Sequence, residues 1–107
     1  MRAGLLRHLV HLEAPAEGAQ DSHGQPPDGW EPVTETYAQI EPLSGRELES
    51  ARQVQARVTH RITIRFLEGV SPRMRVRYGE RAFEIASVTN DGERDRTTVL
   101  MAVEVVG

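Results

Sequence analysis

Four histidines, a set of evenly spaced arginines and a few acidic residues are the groups of this chain that could do chemistry. His8-x-x-His11 has the composition of a metal-ligand pair. It lies in Leu6–Glu13, where His8, Val10 and Leu12 alternate to one side of a predicted strand. Strand residues three apart point to opposite faces, so this pair cannot close on one ion as it could on a helix. Asp21 and His23 could pass a proton, but only Ser22 stands beside them as a nucleophile. His60, between Val58 and Ile62, reads as a packed or hydrogen-bonded side chain. No phosphate-binding glycine loop, nucleophile elbow or dinucleotide fingerprint occurs. The expectation is a protein that is not an enzyme, with no catalytic residue, no metal site and no cofactor.

The arginines offer a different chemistry. Arg73, Arg75 and Arg77 alternate with Met74, Val76 and Tyr78, and Arg61 and Arg65 could lie beside them on a neighbouring strand. Such a cationic stripe suits phosphate contacts. Only Tyr78 and Phe83 are near enough in sequence to stack on bases, and the net charge of −3 opposes autonomous binding. The stripe is therefore either a solvated face or the lining of a ring that guides DNA without holding it tightly. Charge is also segregated along the chain. Residues 13–49 carry nine acidic side chains against Arg46 alone, whereas residues 57–81 carry seven arginines against Glu68 and Glu80. If those segments lie apart, the subunit has two oppositely charged surfaces, which head-to-tail contacts closing into a ring would bring together.

The elements that must position these groups are mostly strands. With 107 residues, 38% of them hydrophobic, the chain has room for one domain, 1–107, with a thin core. Cysteine is absent, no apolar run is long enough to span a bilayer, and the opening MRAGLLRHLVHLE is not a signal peptide. A soluble chain made inside the cell is expected. Ala14–Gly29 is a polar Gly/Pro loop, long enough to suggest an interface. Trp30–Glu41 reads as the second strand, ended by Pro42. Ser44 and Glu47 have the spacing of a capping box, opening a helix over about Gly45–Gln55 whose apolar stripe is only Leu48, Ala51 and Val54. That stripe is too narrow to hold so short a helix, so 43–57 is predicted to be an arm whose order depends on its neighbours. Val58–Phe66 alternates cleanly, with Thr59, Arg61, Thr63 and Arg65 opposite the apolar face. Met74–Tyr78 and Arg81–Val88 flank Gly79-Glu80, a two-residue loop of type II′, and Asn90–Asp95 turns into a closing strand, Thr97–Val106. The sum is a mainly β fold, a small antiparallel β-barrel with one long loop and a short helix or extended arm between strands 2 and 3.

In order and spacing, several short motifs resemble those of the head–tail joining proteins of long-tailed phages and related gene transfer agents, also called head-closure or stopper proteins. They are Gly4-Leu5-Leu6-Arg7-His8, then Asp21, Gly24 and Gly29-Trp30, then Tyr37-Ala38-Gln39-Ile40 leading into Pro42-Leu43-Ser44-Gly45-Arg46-Glu47. Gln53 and Gln55, Thr59–Arg65, Pro72-x-Met74-Arg75-Val76 and Phe83-Glu84-Ile85 with Val88 follow. The family often has Arg-Val after the opening histidine, where this chain has Leu9-Val10. The resemblance implies a ring of six or twelve copies between the portal-bound adaptor above and the tail terminator or other tail proteins below. Such a ring closes the exit channel on packaged DNA and offers the surface on which the tail docks. The subunit would reside in the virion or gene-transfer-agent particle, would pass through the host cytoplasm during assembly, and would have no membrane partner. Ser44, Gly45, Arg46, Glu47 and Gln53 would form a channel or intersubunit arm, and Arg61, Arg65, Arg73, Arg75 and Arg77 a basic interface or DNA-facing surface. The alternatives are a small β-barrel nucleic-acid-binding module and a ring protein of the tail-terminator type.

Overall fold

Six strands and one helix follow the predicted order. The computed structural model describes residues 6–16 and 29–105. The strands are β1 (His8–Pro15), β2 (Trp30–Pro42), β3 (His60–Arg65), β4 (Arg75–Tyr78), β5 (Arg81–Asn90) and β6 (Thr97–Glu104), with helix α1 (Gly45–Val54) between β2 and β3. All neighbours pair antiparallel, in the order β1-β2-β3-β6-β5-β4, and β4 returns to β1 to close a barrel. Most of the predicted loop, 17–28, lies outside the described residues, as do Asp21, Ser22 and His23.

Alternation explains the interior. Val10, Leu12, Ala38, Ile62, Ile64, Val76, Phe83, Leu100 and Ala102 are all fully buried, each supplied by the inward face of its strand. Val58, just before β3, is equally buried, and β3 brings His60, Ile62 and Ile64 inward as its pattern predicts. β6 is flanked on both sides, pairing Arg61 with Met101 on β3 and Ile85 with Ala102 on β5.

Local chemistry sets the joints. Tyr78 pairs with Arg81 around Gly79, whose φ is +61°, and only the first central residue is left-handed, as a type II′ turn requires. β2 carries on to Pro42, so the proline is its last residue rather than the first beyond it. A register shift at Leu12/Glu13 lets two consecutive β1 residues be buried, Leu12 in the core and Glu13 under arginines of β4. Closure between β1 and β4 involves only His11–Glu13 against Arg75–Arg77. This three-residue seam is the shortest ladder in the barrel.

Candidate functional site

The arm leaves the barrel between two buried anchors, Leu43 and Val58. Leu43 N–H donates to Thr59 O at 2.9 Å, and Val58 N–H to Gln55 O at 3.2 Å, so both roots are tied. Between them α1 buries no residue. Leu48 and Ala51 are half-buried, and Val54, the third member of the predicted stripe, is 82% exposed. The predicted capping box does not form. Ser44 occupies the N-cap, but its hydroxyl makes no capping bond. Glu47 instead reaches Arg61 Nη1 at 2.8 Å, a charge-assisted contact across to β3 that wins over the local one. Arg61 also meets Glu41 Oε1 at 3.4 Å. Its hydrogen bond to Glu47 is the main reason its pKa is raised. One guanidinium thus holds β2, β3 and the arm together. Ser44, Gly45, Arg46, Glu47 and Gln53 all lie on this arm and are all exposed.

The basic residues do not form one stripe. β3 and β4 are three strands apart in either direction around the barrel, so Arg61 and Arg65 lie on the wall opposite Arg75 and Arg77. Proximity in sequence suggested neighbouring strands, but closure places these two across the barrel from each other. Arg73 precedes β4, where its N–H meets Ser71 Oγ at 3.3 Å. The acidic and basic segments are likewise interleaved rather than apart. Glu13, with its side chain 7% exposed, receives Arg75 Nε at 2.7 Å and Arg77 Nε at 3.3 Å. Arg75 in turn lies over the Trp30 ring at 4.5 Å, a cation–π contact. Glu13, Glu41 and Glu47 of the acidic segment are thus balanced within one subunit by Arg61, Arg75 and Arg77 of the basic one.

A family model for phage head completion proteins matches residues 1–105 of the 107. The chain belongs to the phage head completion protein family. No curated protein sequence matches it. Two solved structures share the fold of this head completion protein. One is the solution structure of protein SF1141 from Shigella flexneri 2a, with 23% identity, 96% of each chain covered and a TM-score of 0.73. The other is a chain in the virion of a native gene transfer agent particle, with 21% identity, 95% of this chain and 97% of that one covered, and a TM-score of 0.61.

Two features of the head completion protein had no sequence signal. The first is Glu13, whose burial needs β1 and β4 to meet across a separation that no local pattern reports. The second is the network at the root of the arm. His60 is 9% exposed and packs edge-on against Phe83, with ring centroids 5.1 Å apart. Its Nδ1 lies 2.8 Å from Thr59 Oγ1, which also donates to Ala102 O and accepts Glu104 N–H. Burial pushes the His60 pKa down, against the smaller attraction of Glu104, whose Oε1 is 3.8 Å from Nε2. Glu104 is itself held below the usual carboxylate range, chiefly by its hydrogen bond from Arg81 Nε at 2.8 Å. His8 and His11 serve different neighbours, His8 Nδ1 lying 3.0 Å from Tyr78 Oη and His11 3.7 Å from Glu35.

Proposed function

We propose that this head completion protein forms a ring of six or twelve copies at the head–tail joint, below a portal-bound adaptor. There it closes the exit channel behind packaged DNA and provides the tail's docking surface. The observation that carries this reading is α1: ten residues of helix with no buried side chain, rooted firmly at Leu43 and Val58. A monomer gains little by ordering such a segment, because short helices are marginal without packing. A ring gains an element that can reach a neighbour or the channel axis. Ser44, Gly45, Arg46, Glu47 and Gln53 are the residues assigned to that arm. Tail attachment would act by moving it, and the Glu47–Arg61 bond is the contact such a movement must break. The chain's likeness to a subunit of a gene transfer agent particle supports a place in the phage or gene-transfer-agent particle.

Deletion of Glu47–Gln55 tests the reading. The expected outcome is a folded barrel that keeps its strand circular dichroism and a cooperative unfolding transition while losing the helical signal of α1, and particles whose heads fill and then lose DNA. Full DNA retention by that variant would refute the gate. The nucleic-acid-module reading is weakened because Arg61, Arg75 and Arg77 are engaged with carboxylates. Salt-sensitive binding of free oligonucleotides by the isolated protein would revive it.

A further inference from the structure

One cluster of arginines has no ion pair among the described residues. Arg65, at the end of β3, and Arg94 and Arg96, in the turn before β6, line a cleft of about 420 Å³ with Leu6, Asp91, Asp95 and Thr97. Among the described residues none of these three guanidiniums has an ion pair, whereas Arg61, Arg75, Arg77 and Arg81 all do. The turn that presents Arg94 and Arg96 is fixed. Asn90 Nδ2 donates to Asp95 Oδ1 at 2.7 Å, Asp95 N–H returns to Asn90 Oδ1 at 3.1 Å, and Phe66 N–H donates to Arg96 O at 3.0 Å. Glu93 and Asp95 are held at φ +54° and +55°, a region that non-glycine residues rarely occupy. Arg65 on β3 with Arg94 and Arg96 on the turn set three permanent cations against two aspartates, so the cleft keeps a net positive charge that favours an anionic partner.

The two aspartates decide what that is. Asp91 and Asp95 would repel a run of phosphates, so the cleft suits a ligand presenting a carboxylate beside a cation. The arm carries that combination. Arg46, Glu49 and Gln53 recur at intervals of three and four, so they share one face of α1, turned away from half-buried Leu48 and Ala51. All three are exposed, and among the described residues none has an ion pair or side-chain hydrogen bond. α1 lies before the start of β3 and Arg65 at its end, so the arm and the cleft lie toward opposite ends of one strand. A contact between two different patches is heterologous, the kind that propagates from copy to copy and can close a ring.

We infer that the cleft receives the outward face of α1 from a neighbouring copy, with Glu49 against Arg65, Arg94 and Arg96, and Arg46 against Asp91 and Asp95. The inference rests on the ring reading and adds to it the contact that orders the arm. Its test is the oligomer mass of the full chain by sedimentation velocity and mass photometry, with duplex DNA binding followed by fluorescence anisotropy. R65E/R94E/R96E should remain folded, since all three side chains are exposed, and should lower the oligomer-to-monomer ratio at least about tenfold. E49R should lower it less, and E49R combined with the triple reversal should recover much of the loss. An unchanged oligomer in the triple variant overturns this contact and leaves the ring reading standing. A wild-type chain that never self-associates, alone or on purified heads, removes both. An intact oligomer that has lost DNA binding assigns the cleft to nucleic acid and overturns the inference.

Discussion

Helix α1 and strand β3 are joined by only a few residues, yet they are stabilised in opposite ways. β3 sends His60, Ile62 and Ile64 into the barrel, and β2 and β6 satisfy its backbone on either side. α1 sends nothing into the core, and among the described residues its side chains reach the barrel by polar contacts at Arg61 and at Val58 O. Full burial fixes the wall, while the half-burial of Leu48 and Ala51 and a few polar contacts hold the arm. A segment held only in that way can be relocated without unfolding what carries it.

Four substitutions break or sharpen this contrast. Ile62→Ala should cost about 3 kcal/mol in denaturant unfolding, from lost burial plus the cavity left behind, whereas Val54→Ser on the arm should stay within about 0.5 kcal/mol. Equal costs would erase the distinction. Glu13→Gln should cost about 2 kcal/mol, because it leaves Arg75 and Arg77, side by side on β4 at the closure seam, without their counter-charge. Protection of β1 and β4 amides from hydrogen exchange should fall first. Arg61→Gln should cost about 1 kcal/mol or less globally, while α1 amides exchange much faster than those of β3. Uniform loss of protection would show the arm and the wall to be one cooperative unit.

The smallest effect is a pH slope. Burial lowers the His60 pKa in the folded state, so the unfolded chain binds more protons once pH falls below the ordinary value of 6.5. Stability should therefore decline as pH drops through 6.5. Glu104, with its pKa lowered, adds a second decline only as pH falls below 4.5. His60→Gln should remove the upper part of the slope and spare the lower part, as read from unfolding midpoints between pH 7 and 4.

Alternation made much of the wall legible. The inward face of β3 and the Gly79 turn follow from period-two patterning and turn chemistry, which depend on near neighbours in the chain. The position of α1 was legible too, and so was its lack of a buried face, since Leu48, Ala51 and Val54 make too narrow a stripe. Partners were not. Ser44 and Glu47 spell a cap, but Arg61 from β3 takes the carboxylate, and no pattern within 44–47 reports that competitor. The arginines of β3 and β4 seemed adjacent because few residues separate them, yet six-strand closure puts them on opposite walls. The cleft of Arg65, Arg94 and Arg96 joins two segments about thirty residues apart, which only the β3–β6 register brings together.

β6 has a consequence for how the protein is made. It is the last of the six strands to leave the ribosome, yet it fills the gap between β3 and β5. Until Thr97–Glu104 emerges, both of those strands present bare edges, and the wall cannot close however long the earlier strands have been waiting. Biosynthesis thus saves the keystone for the end. A chain stopped just short of it would lose two ladders at once and leave two edges free to pair with whatever other nascent strand comes by.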